Sequence, residues 1–311
     1  MTARFTPGHI EQWRREGAVL IPEFFTRDEV AAVRADFETV FGRTMGEAEG
    51  INKKKEGEVG KFHPTQFKGV AAIPFECSPA LNLIGVHPAL MDFAKQALKT
   101  ESIYLYQCQA WAKFTGESDY DQPYHCDFAN HTLTVPSEIP DANSITILCY
   151  FSDVTGAHGA MHYVTRTDSE KVAGPEATLN FDPAAHKKLQ AGLMPLTRSS
   201  ASPAGSIVPY SIDVYHRGTN MTAPHGHRYA VMVCYRAASD NAIAFHAWPF
   251  HHTAPWRNVF NHATPEQLAC FGVQPPGDPF WTETTLSRAQ ARYPGWNLKP
   301  YRDALRRQAA E

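Results

Sequence analysis

Between residues 103 and 236 the chain returns again and again to one texture: short segments dense in aliphatic, β-branched and aromatic residues. Ile103–Phe114 alternates and is rich in Tyr and Trp, and 145–151 is apolar without a break. Stretches 160–164, 206–215 and 228–236 have the same character, with Gly, Pro, Asn and Asp between them. Segments of this kind, bounded by turn formers, are strands. Several of them, with the helical signals mostly ahead, predict an antiparallel β-sandwich or barrel.

The helical signals lie in the first hundred residues. Residues 7–17 form one candidate, with Thr6 as N-cap and Pro7 in the first turn. A short apolar strand over 17–21 stops at Pro22. Thr26-Arg27-Asp28-Glu29 then reads as a capping box, opening a helix whose Val30, Val33, Phe37, Val40 and Phe41 fall at helical spacing. Residues 42–70 are Gly- and Lys-rich without period and read as a long loop; 87–98, after Pro88, reads as another helix. The segment 249–300 is rich in Pro and aromatics and reads as ordered wrapping. One domain over 1–311 is the expectation, helical over 1–100, β over 101–248 and wrapping over 249–311.

Composition bears on the class of function. A formal net charge of −3 gives no global pull toward nucleic acid or an acidic membrane surface. Lys53, Lys54 and Lys55, flanked by glycines, are a local exception that reads as a solvated loop. None of the six cysteines forms a C-x-x-C pair, which leaves zinc-finger and thioredoxin readings without support. The first 17 residues are polar and broken by Pro7, and no run of about 18 apolar residues is present to span a membrane. A soluble, reduced, cytoplasmic protein is expected.

Chemistry enters at Pro123-Tyr124-His125-Cys126-Asp127-Phe128. On a strand, residues i and i+2 point to one face, so an imidazole and a carboxylate there can grip one ion. The spacing alone is weak, because 15 histidines and 32 acids in 311 residues produce it by chance once or twice. His9-Ile10-Glu11 is such a case, placed in a helix where i and i+2 diverge. Context strengthens the other. His216 closes a strand candidate, Asn220 follows, and Arg228 opens the next strand. Two histidines and one carboxylate on one face of a metal leave three positions open, the arrangement of non-haem iron oxygenases. A dicarboxylate cosubstrate chelating that metal needs a buried cation for its far end, and Arg offers a fork.

The chain resembles the phytanoyl-CoA dioxygenase family of iron- and 2-oxoglutarate-dependent oxygenases. The likeness runs through Trp13-Arg14-Arg15-Glu16-Gly17-Ala18-Val19-Leu20-Ile21, the Thr26 helix start, the His125 motif, Phe151-Ser152-Asp153-Val154, and His216 to Arg228. It implies a mainly β fold with flanking helices, whose core is a double-stranded β-helix, or jelly roll. It implies iron(II) on His125, Asp127 and His216, and 2-oxoglutarate on Arg228. Thr219 is a second cosubstrate candidate, although Gly218 stands where many members place a hydroxyl. The stretch 159–168 lacks a Pro-Gly-Ser-His signature common among relatives. Asp127 stands where related halogenases have Gly or Ala, so a chloride site is not implied.

The activity implied is a dioxygenase that consumes O2 and 2-oxoglutarate, releases succinate and CO2, and hydroxylates or otherwise oxidises a small organic molecule. Trp111, Tyr124, Phe128, Trp248 and Trp256 are the aromatic supply for such a substrate; Lys53, Lys54, Lys55 and Lys61 are what a CoA ester would use. Two other readings stand beside it: a cupin-like metal oxygenase working without 2-oxoglutarate, and a non-catalytic jelly-roll binding protein. His246, His251, His252 and His262, with His225 and His227, match no zinc spacing. Oligomeric state is not legible.

Overall fold

The computed structural model describes residues 3–41, 70–115, 121–127, 131, 144–174, 183–239 and 255–308. Its centre is a five-stranded antiparallel sheet in the order β1-β2-β8-β3-β6, and a three-stranded antiparallel sheet, β5-β4-β7, lies against it. The strands of the large sheet are β1 (Val70–Ala72), β2 (Ile103–Phe114), β3 (Ser144–Tyr150), β6 (Ile207–Tyr210) and β8 (His227–Ala237). Those of the small sheet are β4 (His162–Val164), β5 (Arg198–Ser199) and β7 (Tyr215–Arg217).

The two-residue period of a strand sorts the large sheet into two faces. On β8, Tyr229, Val231, Val233 and Tyr235 join the main core with Phe37 and Phe93 from the helices. Ala230, Met232 and Cys234 point the other way, into smaller clusters between the sheets. On β3, Ile145, Ile147 and Cys149 go to the main core, while Leu148 and Tyr150 face inward. Both faces are buried, so these strands read as apolar runs rather than alternating ones.

The outer face is covered by α1 (Pro7–Glu16), α2 (Arg27–Phe41), α3 (Pro79–Asn82) and α4 (Pro88–Leu98). Phe37 of α2 stacks on Tyr229 of β8 with ring centres 4.8 Å apart. The capping box at α2 is real: Thr26 N–H donates to Glu29 at 2.8 Å and Glu29 N–H to the Thr26 hydroxyl at 3.3 Å. Glu29 is also a hub, taking two bonds from Arg4 at 2.6 and 2.8 Å and facing His87 Nε2 at 3.1 Å. Burial opposes its charge, but Arg4, the Thr26 N–H and His87 outweigh burial and pull its carboxyl down to about 2. A carboxylate with a depressed folded pKa contributes stability that is full above its ordinary value and lost as pH falls through the folded one. Glu29→Gln is therefore expected to destabilise the chain at neutral pH by about 1–2 kcal/mol, after allowance for solvent screening of a partly exposed group. In urea titrations the gap between variant and parent should close from pH 4.5 down to about 2; a gap independent of pH would contradict this.

The expected strand over 17–21 appears as a segment hydrogen-bonded to the free edge of β6, with bridges at Ala18–Tyr210 and Ile21–Ile207. The expected strand over 206–215 is two strands, β6 and β7, because the chain turns at Ser211–Val214 and crosses from one sheet to the other. Ser and Asp are turn formers, and the Arg166 guanidinium pins Asp213 there with two bonds of 2.8 and 3.0 Å. Helices Arg166–Ala173 and Pro183–Leu193 between β4 and β5 were not expected. The C-terminal residues described form helices Arg257–Phe260, Pro265–Cys270, Glu283–Arg292 and Lys299–Gln308, which bring Trp281, Trp296 and Tyr301 into the main core. The loop expected over 42–70 lies outside the described residues except for Val70, which opens β1. Among the described residues no helix is long and apolar enough to cross a membrane.

Candidate metal centre

His125, Asp127 and His216 meet between the two sheets, with one potential ligand atom from each lying within 4.8 Å of the others. His216 is the middle residue of β7, paired with Tyr163 of β4 on one side and bridged by His125 on the other. The two histidines exchange backbone bonds of 3.0 and 2.9 Å, and their ring centres lie 4.5 Å apart. Asp127 stands in a turn just beyond His125 rather than on a strand.

Side chains hold these two segments in register. The Gln122 side-chain oxygen accepts the Gly218 N–H at 2.8 Å, and the Gln122 backbone N–H donates to the Gly218 carbonyl at 3.0 Å. Asp121 accepts the Asn220 N–H at 2.9 Å. A Cβ on residue 218 would come within 3.0 Å of Gln122 Oε1, so the glycine admits the glutamine. Beyond His125, Gln190 of the helix Pro183–Leu193 accepts from Tyr124 N–H and donates to Tyr124 C=O, both at 2.8 Å. That amide does for Tyr124 what a neighbouring strand would.

The donor set fits a divalent iron ion. His125 Nδ1 lies 3.0 Å from the Pro123 carbonyl, and His216 Nδ1 lies 3.0 Å from the Val214 carbonyl. A carbonyl only accepts, so both rings carry a proton on Nδ1, which leaves Nε2 as the atom each would give to a metal. Two imidazoles and a carboxylate make the facial set of non-haem iron. Burial, reinforced by His216, pulls the His125 imidazole down to about 4, which keeps it neutral. Burial also opposes charge on Asp127, but His216, helped by His131 and His125, outweighs it and holds the carboxyl well below its usual range. His216 is shifted upward, since Asp127 at 3.5 Å overrides the burial that would lower it.

Arg228 opens the inner face of β8, buried at 8% exposure. Its guanidinium donates to the Gly159 carbonyl and feels Tyr150, and neither partner is an anion. Its Nε has no hydrogen-bond partner among the described residues. Burial lowers its pKa. A buried cation with a donor to spare is a socket for a carboxylate. Thr219 lies beside the same turn and donates to the Ala160 carbonyl at 2.7 Å. Lys113, paired across β2 and β8 with Arg228, donates to the Thr219 carbonyl at 2.7 Å. Gly159 is required there: its φ is +69°, and a Cβ would come within 2.6 Å of the Thr219 carbonyl oxygen.

The other expected residues are scattered. Trp111 packs inward with Tyr150 and Ala230, whereas Trp256 belongs to the main core. Tyr124 sits on the outer face of the small sheet, under the Arg217 guanidinium. Phe128, Trp248, His246, His251, His252 and the four lysines lie outside the described residues. Sequence reasoning missed Tyr210, whose hydroxyl donates to Asp127 Oδ2 at 3.2 Å. The only signal for it was alternation along the strand, which puts it on the face shared with Val208.

Residues 13–228 match the family model described as phytanoyl-CoA dioxygenase (PhyH). Among curated proteins nothing matches the chain. Solved structures share its fold at low identity. EctD from S. alaskensis, solved with 2-oxoglutarate and 5-hydroxyectoine, is 15% identical with a TM-score of 0.55, over 82% of this chain and 83% of EctD. The non-haem α-ketoglutarate-dependent epimerase SnoN from nogalamycin biosynthesis is 15% identical with a TM-score of 0.53, over 74% of this chain and 80% of SnoN. HygX from Streptomyces hygroscopicus, solved with nickel, 2-oxoglutarate and hygromycin B, is 14% identical with a TM-score of 0.52, over 76% of this chain and 88% of HygX.

Proposed function

The chain belongs to the phytanoyl-CoA dioxygenase family, and from that premise we propose that it is an iron(II)- and 2-oxoglutarate-dependent dioxygenase acting on a small organic molecule. The observation that carries the reading is the convergence of His125, Asp127 and His216, with Nε2 of both rings left for a metal by the Nδ1–carbonyl bonds. Iron(II) held there would supply, with O2, the oxidative decarboxylation of 2-oxoglutarate to succinate and CO2 and the oxidation of the substrate.

The chain's own residues bind, aim and exclude water. His125, Asp127 and His216 would hold the ion. Arg228 takes the far carboxylate of 2-oxoglutarate, with Gly159 holding its guanidinium in place. Thr219 joins only by turning its hydroxyl from the Ala160 carbonyl to that carboxylate. The apolar wall of Leu148, Tyr150, Ala230 and Trp111 between the sheets keeps the reacting centre dry. In this reading the large and small sheets are the two halves of a double-stranded β-helix spanning 101–248, within one cytoplasmic oxygenase domain over 1–311. The substrate is a small molecule.

The reading is tested by turnover. Purified protein with iron(II), 2-oxoglutarate and air is expected to release succinate slowly without substrate, and faster when a library member fits. Succinate release that does not depend on added iron, or none at all with any compound, would count against it.

A further inference from the structure

We propose that Tyr210 is a positioning residue for the metal centre, its hydroxyl holding Asp127 so that one carboxylate oxygen serves the protein and the other the metal. The inference rests on the assignment of His125, Asp127 and His216 as ligands. Tyr210 ends β6 on its inner face and is 2% exposed. Its hydroxyl lies 3.2 Å from Asp127 Oδ2. An ionised carboxylate only accepts, so the phenol donates. The other oxygen, Oδ1, is the one on the His216 side, 3.5 Å from Nε2. The two oxygens therefore have separate tasks.

The same ring lies 4.7 Å from the His216 imidazole at 49°. Tyr210 thus touches two of the three ligands, which arrive from different segments. Its own backbone is clamped from both flanks: it pairs with Thr146 of β3 and bridges to Ala18 on the other edge. Met232 Sδ, 3.9 Å from the hydroxyl, closes another side. The main chain of Asp127 is tied as well, its carbonyl accepting the His131 N–H at 3.0 Å. A ring so fixed is an anchor rather than a passing contact.

Two consequences follow for an ion at this site. A carboxylate that rotates freely can offer both oxygens to one metal; with Oδ2 turned toward and bonded to a phenol, ligation through Oδ1 alone is favoured. Single-oxygen ligation leaves open the positions that a chelating cosubstrate and O2 need. A carboxylate already aimed also loses less freedom when the metal arrives, which strengthens binding.

Tyr210→Phe keeps the ring against His216 and removes only the hydroxyl. Metal-free parent and variant, titrated anaerobically with cobalt(II) and followed by its d–d absorption, are expected to differ by about tenfold in affinity and in band shape. The metal-free variant should melt modestly lower, having lost one donor to a buried carboxylate, while its circular dichroism stays that of the folded parent. Equal affinity with superimposable spectra would overturn the role of Tyr210. His216→Ala runs beside them: if it loses cobalt while Tyr210→Phe matches the parent, the ligand assignment stands and only the Tyr210 inference falls. If His216→Ala binds cobalt like the parent, the ligand assignment falls and takes this inference with it. For a Tyr210→Phe chain that does not fold, infrared difference spectra of the parent with and without zinc(II) decide. A one-oxygen carboxylate pattern is expected, and a chelating two-oxygen pattern overturns the proposal.

Discussion

His216→Ala is expected to cost the protein its metal, with affinity for iron(II) or cobalt(II) falling by more than about 100-fold and iron-dependent succinate release vanishing with it. Loss of a hydrogen-bond partner to a ligand already costs about 10- to 100-fold, and loss of the ligand itself exceeds that. His216 has two tasks, which gives the variant a second signature. Besides offering Nε2, it is the principal group holding the Asp127 carboxyl low. Without it the buried carboxylate keeps the Tyr210 hydroxyl and weaker help from His131 and His125. Removing one partner of a buried pair costs about 3–5 kcal/mol, so the metal-free variant should also melt lower than the metal-free parent. Because the backbone bonds between residues 125 and 216 do not depend on the side chain, circular dichroism should remain that of the folded protein. A folded variant that binds metal and turns over like its parent would contradict the assignment of His216.

Arg228 is expected to give opposite signs in two measurements. Truncating a buried charged partner of a ligand costs about 2–5 kcal/mol, and 3 kcal/mol is roughly 100-fold in affinity. Arg228→Met should therefore raise the 2-oxoglutarate concentration needed for half-saturation by about 100-fold, with iron binding preserved. In the ligand-free protein the same guanidinium is a buried cation whose partners are a carbonyl and Tyr150. Replacing such a charge with an apolar side chain of similar length is commonly neutral or stabilising, so the free variant should melt no lower than the parent. Arg228→Lys should recover only part of the affinity, because an ammonium cannot form the two-pronged contact. A variant with unchanged cosubstrate affinity, or one that simply unfolds, would show that Arg228 is structural.

What could be read from the sequence follows the strength of local physics. Strands β2, β3 and β8 of the large sheet were legible because they are long and largely buried, so Ile103–Phe114 was found with its bounds and β3 and β8 nearly so. Strand β1, three residues that are not buried, was not found. The break between β6 and β7 was not, since Ser211 and Asp213 sit within a run otherwise apolar enough to be one strand. The helices Arg166–Ala173 and Pro265–Cys270 carry Thr caps at 165 and 264 that went unread amid loop-like composition. At the candidate site, His125 and Asp127 stood on a spacing that chance also produces, and His216 and Arg228 supplied the context. Tyr210, Gln122 and Gln190 could not be singled out. A tyrosine in an apolar strand is ordinarily packing, and what gives these three their tasks is contact with segments distant in the chain, Asp127 for Tyr210, Gly218 for Gln122 and Tyr124 for Gln190.

Whether one site holds iron and 2-oxoglutarate together can be seen optically. Metal-free protein receives iron(II) and then 2-oxoglutarate under strict exclusion of oxygen, and its visible spectrum is recorded. A weak metal-to-ligand charge-transfer band that appears only when both are present, and saturates with 2-oxoglutarate, is the expected result. Bound iron with no such band at any 2-oxoglutarate concentration would contradict the account and favour a metal site that works without this cosubstrate.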